Sequence, residues 1–196
     1  IHVLDEPPKF KENEEVEVIV DKEWRTQLTQ HHTATHIENA AARKVLGKHV
    51  NQAGAKKSVD KAHLDITHYE SISEEDLEKI EQEANKIIAE KIPIRKMFMP
   101  REEAEKKYGM AIYQGGAVPG KMIRIVEIPE VDVEACGGTN LDNTSQAELI
   151  KIIKSTKISD SVVRIIFTAG PAAKALSKHE ADIIKEAAIL LGVSPK

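Results

Sequence analysis

The sequence predicts an α+β fold, a mostly antiparallel sheet packed by helices, and three observations lead to it. Strand-like and helix-like periods alternate irregularly over the 196 residues, the connections between them are short, and an apolar content of 41% is enough for a real core. No internal repeat and no low-complexity tract interrupts that pattern.

Residues 1–12 contain Pro7-Pro8 and read as an extended linker. Residues 14–21 alternate acidic and apolar side chains, Glu15-Val16-Glu17-Val18, as a half-buried strand does. From Trp24 to Leu46 the period changes. Breakers are few, alanines are dense at Ala34, Ala40, Ala41 and Ala42, and Gly47 supplies a stop, which predicts one long helix. Residues 49–57, with Asn51-Gln52-Ala53-Gly54, form a turn or an irregular strand, and 61–69 alternate as a strand. Ser73 ahead of Glu74, Glu75 and Asp76 is a helix start, a hydroxyl cap followed by an acidic first turn. That helix runs through Leu77, Ile80, Ala84, Ile87 and Ile88 to the neighbourhood of Lys91.

Residues 93–99 read as a strand, and Pro100 opens a short helix at its first turn. Gly115-Gly116 with Pro119-Gly120 marks a loop before a strand at 121–128. Residues 131–138 carry Cys136, the single cysteine, into a glycine-containing turn. The runs 149–158 and 162–168 form a β-rich pair joined around Ser159-Asp160. Gly170-Pro171 then opens a final amphipathic helix, 172–191, that stops at Gly192.

No apolar run approaches the roughly 18 residues of a membrane span, so no membrane partner is expected. The first residues have neither a basic leader nor an initiator Met, and the chain reads as part of a longer protein. One cysteine permits no internal disulfide, which points to a cytoplasmic setting and leaves the thiol free for metal or catalysis. A net charge of −4 does not announce a nucleic-acid binder. The charges are segregated, however: acidic residues crowd into 11–17 and 73–90, while basic ones such as Lys56, Lys57, Lys61, Lys96 and Arg124 fall near predicted strands and loops. Such a local track suits a phosphate backbone as well as ordinary solvated surface.

His32 and His36 are four residues apart, so on a helix both imidazoles share a face with roughly 6 Å between Cβ atoms, a spacing suited to one metal ion. Cys136 adds a third donor if the fold brings its turn to that face. Two imidazoles and a thiolate are the minimum for a catalytic zinc that keeps a position for water. His31 lies about 100° around the helix and does not join them. His2, His49, His63, His68 and His179 read as ordinary surface or core histidines. A metalloprotease helix reads His-Glu-x-x-His, but here Thr33 follows His32, so no general base is built in and proton transfer falls to metal-activated water or to the substrate.

Three motifs, His32-Thr33-Ala34-Thr35-His36, His49-Val50-Asn51-Gln52-Ala53-Gly54 and Ala135-Cys136-Gly137-Gly138-Thr139, together resemble the editing domain of alanyl-tRNA synthetases, shared with free-standing alanyl-tRNA editing proteins. The likeness extends from Val18-Ile19-Val20-Asp21 to the end of the chain, where 185–194 resembles the helix that leads toward the synthetase's dimerisation region. It implies the fold common to threonyl and alanyl synthetase editing domains. It divides the chain into a linker and strand of a preceding β subdomain (1–23), an editing domain (24–170) and that final helix (171–196).

The implied activity is hydrolysis of the ester joining serine or glycine to alanine tRNA. A pocket shaped for alanine rejects neither glycine, which is smaller, nor serine, which adds one hydroxyl. The resemblance casts Thr35 and Gln52 as catalytic and substrate-binding residues, since both carry hydrogen-bonding atoms for serine. Gly138 and Thr139 lie beside the substrate, and one zinc ion sits on His32, His36, Cys136 and position 140. The implied partners are the acceptor 3′ end of tRNA(Ala) and the remaining synthetase domains, with dimerisation through a region absent here. The chain has no GxxxxGK sequence or adenylate-forming signature, so ligation itself is not expected of it.

One position departs from the family pattern. Its second metal motif is Cys-x-x-x-His, and here Cys136 is followed four residues later by Asn140. A neutral amide oxygen is a poor substitute for imidazole on zinc. Two readings therefore stay open beside a cis-editing fragment: a free-standing editor, and a metal-poor, inactive tRNA-binding module. The related threonyl editing domain is a further alternative, and the Cys-Gly-Gly-Thr turn and terminal helix favour alanine.

Overall fold

The structure, a computed structural model, describes residues 4–114, 116, 118–191 and 193. Residues 1–3 of the predicted linker, Gly115 of the predicted loop, Gly192 as the predicted helix stop and Ser194 of the family-like ending lie outside them.

The chain runs α1 (Lys22–Leu46), β1 (Gln52–Lys57), β2 (Ala62–Thr67), α2 (Glu74–Ala89), β3 (Arg95–Pro100), α3 (Arg101–Tyr108), β4 (Met122–Ile128), β5 (Asp132–Ala135), β6 (Ile150–Ser159), β7 (Val162–Ala169) and α4 (Gly170–Leu191), with short 3₁₀ turns at Met110–Ile112 and Thr144–Ala147. The strands form two sheets, ordered β1-β2-β7-β6 and β3-β4-β5. Every pairing is antiparallel, so the predicted α+β class holds, with its strands divided between two sheets.

The α1 helix is the axis of the fold. Asp21 caps it, its Oδ1 accepting from the Trp24 N–H at 2.8 Å, and Gly47 ends it at φ 120°, a conformation that side chains other than glycine rarely adopt. From Gln27 to Ala42 the helix is almost wholly buried, because it contacts β1, β2 and β7 of the larger sheet, β5 of the smaller one, and α2. Small alanines at 34, 40, 41 and 42 let these neighbours approach closely.

The larger sheet presents Ala62, Leu64 and Ile66 of β2 beside Phe167, Ile165 and Val163 of β7, paired in that register and all buried. Leu77, Ile80, Ala84, Ile87 and Ile88 of α2 complete this core. Each large side chain buried there stabilises the fold by about 1.5–3 kcal/mol relative to an exposed one. Asn85 ties α2 to β6, its amide donating to the Ile150 carbonyl (2.8 Å) and accepting from the Ile150 N–H (2.9 Å). A second, smaller core of Ala104, Ile112, Ile123, Ile125 and Ala135 lies under α3.

The expected strand at 14–21 is corrected: this segment is irregular and exposed on all sides, Val18 and Ile19 being 74% and 83% accessible. Alternation supplies a side-chain pattern but not a hydrogen-bonding neighbour, and none of the described strands pairs with it. Within 49–57 the strand is confined to Gln52–Lys57, with a bulge between Gln52 and Gly54, and 49–51, at the end of a turn, lead into it.

Candidate metal centre

Two chain segments 100 residues apart meet at the middle of α1. His32 and His36 lie on one helix face with ring centroids 5.4 Å apart. Opposite them is the loop that follows β5. Its position is fixed from the β4 side: Ile125 pairs with Ala135, and the Cys136 N–H continues the ladder to the Arg124 carbonyl at 3.0 Å. The Arg124 guanidinium then gathers the loop, one Nη1 donating to the carbonyls of Cys136 (2.6 Å) and Gly138 (2.9 Å) and to Oδ1 of Asn140 (3.2 Å). From the helix side, the Thr33 hydroxyl accepts from the Leu141 N–H at 2.9 Å.

The loop touches the helix so closely that Gly138 has no room for a side chain. A Cβ there would overlap Cε1 and Nδ1 of His32. The contact lets His32 Nδ1 donate to the Thr139 carbonyl at 3.0 Å, which turns Nε2 toward Cys136 Sγ, 3.4 Å away. His36 is oriented in the same sense by different groups. Its Nδ1 lies 3.1 Å from Asp132 Oδ2 and 3.2 Å from Glu134 Oε2, which leaves Nε2 facing the cluster. Both imidazoles thus commit Nδ1–H to an acceptor and present Nε2, the arrangement that fixes the tautomer of a metal-binding histidine.

Ligand atoms of His32, His36 and Cys136 lie within 4.8 Å of one another. Burial alone would raise the Cys136 thiol, but hydrogen bonds and charge from His32 and His36 outweigh it and take it down to about 4, a shift that favours the metal-binding thiolate form. Burial would lower His36, and the carboxylates of Glu134 and Asp132 outweigh that, holding it well above its ordinary value. Two imidazole nitrogens and a thiolate fit a borderline-soft ion such as zinc. Asn140 is less apt: its Oδ1 is taken by Arg124, and its Nδ2 is the atom that faces the cluster, 3.4 Å from His36 Nε2.

A layer of buried polar groups backs this cluster. Asn39 donates to Glu134 Oε1 (3.2 Å) and to Gln114 Oε1 (3.3 Å), while Gln114 Oε1 also accepts from the Gln52 N–H (2.8 Å). Arg43 lies 3.7 Å from Asp132 Oδ1. On the open side, a groove of about 330 Å³ runs past His32, lined also by Arg25, Thr29, Lys56, Lys57 and Thr139.

Of the residues expected at the site, the structure brings together His32, His36, Cys136, Asn140, Gly138 and Thr139. Thr35 and Gln52 make no hydrogen bond to the cluster's ligand atoms: the Thr35 hydroxyl, 1% exposed, donates to the His31 carbonyl at 2.8 Å, and Gln52 joins the layer behind the cluster through its backbone. His31 turns away, as its helical phase required, to Ser58 O and Thr168 Oγ1. Sequence reasoning missed Asp132 and Glu134, although a signal existed: at period two on a strand, Asp132, Glu134 and Cys136 share one face. Arg124 and Thr33 had no such signal, because their partners come from other segments.

A family model for the second additional domain of threonyl and alanyl tRNA synthetases matches residues 123–166. Curated relatives extend the likeness. The alanine–tRNA ligase of Staphylothermus marinus is 50% identical over 186 residues, 95% of this chain and 20% of the relative. That of Methanopyrus kandleri is 49% identical over 98% of this chain and 21% of its own length. The Pyrococcus furiosus enzyme is 46% identical across 100% of this chain and 21% of its own length. The chain therefore spans about a fifth of the length of the curated relatives it matches. Motifs, fold and relatives agree: over nearly its whole length, this chain resembles the editing-domain region of alanyl-tRNA synthetases.

Proposed function

We propose that this chain is the editing portion of an alanine-specific synthetase and hydrolyses the ester of serine or glycine wrongly joined to tRNA(Ala). The observation that carries the reading is the convergence of His32, His36 and Cys136, with both histidines already oriented by Nδ1 hydrogen bonds. A zinc ion held by these three residues would supply Lewis acidity and an activated water.

The chain's own residues do the rest. Asp132 and Glu134 keep the proton on His36 Nδ1, and the Thr139 carbonyl keeps the one on His32 Nδ1. Arg124 and Thr33 hold the loop against the helix. Thr35 and Gln52 read the extra hydroxyl of serine. With its donor committed to His31, Thr35 would accept in that contact. In this reading residues 24–170 are the editing unit, 1–23 and 171–196 join it to the other domains of a longer cytoplasmic ligase, and its partner is the acceptor 3′ end of tRNA(Ala).

A second reading, a tRNA-binding module with little bound metal, draws on one observation, the capture of the Asn140 oxygen by Arg124. One experiment separates them: Cys136→Ala should abolish release of serine from seryl-tRNA(Ala) with the fold intact by circular dichroism. Unchanged release would remove the metal-dependent reading.

A further inference from the structure

One side-chain amide lies where the layer behind His36 meets the start of β1. Gln114 follows the 3₁₀ turn Met110–Ile112, and all four hydrogen-bonding positions of its side chain are used. Its Nε2 donates to the Ala111 carbonyl (2.7 Å) and to Asn51 Oδ1 (3.5 Å), while its Oε1 accepts from the Gln52 N–H (2.8 Å) and from Asn39 Nδ2 (3.3 Å). The direction of this amide is fixed by its partners. A backbone N–H only donates and a carbonyl only accepts, so Oε1 faces Gln52 and Nε2 faces Ala111.

Asn39 carries the contact inward. It is fully buried on α1, and the two hydrogens of its Nδ2 meet two acceptors, Gln114 Oε1 and Glu134 Oε1, the second at 3.2 Å. Its own Oδ1 has no hydrogen-bond partner among the described residues. A reversed amide would aim that oxygen at two others, so the unpaired acceptor accompanies an orientation that the neighbours impose. Glu134 passes the restraint on, its Oε2 lying 3.2 Å from His36 Nδ1. The contacts therefore run without a break from the Gln52 N–H through Gln114, Asn39 and Glu134 to His36, and they join β1 to the metal-site face of α1.

We propose that Gln114 is a positioning residue that couples the two halves of the site. Through Asn39 and Glu134 it steadies His36, and through the same oxygen it holds the backbone of Gln52. A cation on His36 Nε2 strengthens the Nδ1–H bond to Glu134, and neighbouring bonds in such a network polarise one another. Metal binding and the placement of Gln52 thus depend on each other, and the dependence is reciprocal. The part of Gln52 in reading serine rests on the editing reading; the coupling itself does not.

The test uses this chain, ¹⁵N-labelled and freed of metal, beside Gln114→Met, which keeps length and bulk but loses the amide. Zinc affinity is measured by competition with a chelator, and the Gln52 amide resonance is followed as zinc is added. In the unaltered chain that resonance should move in step with zinc occupancy. In Gln114→Met zinc affinity should fall by about tenfold, the low end of the range for groups that support a metal ligand, and the Gln52 resonance should no longer follow the metal. Asn39→Ala cuts the relay further in and suits a helix; on that background Gln114→Met should change zinc affinity by less than about twofold. If the Asn39 variant folds poorly, the comparison of the unaltered chain with Gln114→Met decides alone.

Zinc affinity within about twofold of the unaltered chain in Gln114→Met would overturn the proposal. So would a Gln52 resonance that follows zinc equally in both chains, or losses that simply add in the double variant. Serine release, assayed separately, keeps the two ideas apart. A zinc-linked Gln52 signal that needs Gln114, without any serine release, sinks the editing reading alone. Normal serine release with Gln52 indifferent to zinc sinks the coupling alone.

Discussion

The Arg124 guanidinium holds the amide oxygen of Asn140 at 3.2 Å and so turns the amide nitrogen toward His36 Nε2. The only strong metal donor that Asn140 offers is thereby engaged elsewhere, which leaves His32, His36 and Cys136 as the proposed protein ligands. Asn140→Ala is therefore expected to change zinc affinity by less than about threefold, and Asn140→His to raise it about tenfold or more, because imidazole is a far better zinc ligand than an amide. Competition with a chromophoric chelator measures both. A large loss in Asn140→Ala would make the amide a ligand after all.

Gly138 and Gly137 give a matched pair. A Cβ at 138 would overlap the His32 ring, while at 137 it meets nothing within 4 Å. Gly138→Ala should displace His32 and weaken zinc binding about tenfold or more, on the scale of losing a ligand's orientation. Gly137→Ala should leave binding unchanged. Equal behaviour of the two variants by the same titration would remove the close approach from the account.

The two carboxylates on His36 make a separate prediction. Asp132→Asn with Glu134→Gln keeps shape but removes charge from Nδ1, and zinc affinity should fall by about 10–100-fold. Calorimetric titration would show this, and a change within about twofold would mean that Thr139-type carbonyl support is enough.

The His49–His68 pair predicts an acid-side loss of stability. The rings are stacked at 5.1 Å, with Nε2 of His49 and Nδ1 of His68 2.8 Å apart. Burial, and then the neighbouring His49, hold His68 below its ordinary value, so the unfolded chain binds this proton more readily than the folded one. The stability this provides is present above about pH 6.5 and is lost as pH falls toward the folded value. Thermal midpoints between pH 7 and pH 5 should fall more steeply for the unaltered chain than for His68→Gln. Parallel curves would contradict the assignment.

Much of this was legible in the sequence because it rests on local pattern. The helix period of α1, the cap at Ser73 and the four-residue spacing of His32 and His36 each depend on neighbours in the chain, and each appears as expected. What failed or was missed depends on distant segments. The alternation at 14–21 could not show that none of the described strands would pair with it. Arg124 became a loop organiser only through the β4–β5 register. Asp132 and Glu134 were on a readable strand face with Cys136, but their acceptor role needed His36 on the other side. Asn140 stood out in the sequence as a departure, while the direction of its amide required Arg124.

The most direct test of the account is serine release from seryl-tRNA(Ala) by this chain before and after chelation, with alanyl-tRNA(Ala) as the control. The expected result is that the seryl ester is cleaved and the alanyl ester spared, that chelation stops cleavage, and that added zinc restores it. Serine release by the metal-free chain at the untreated rate would contradict a site built from His32, His36 and Cys136.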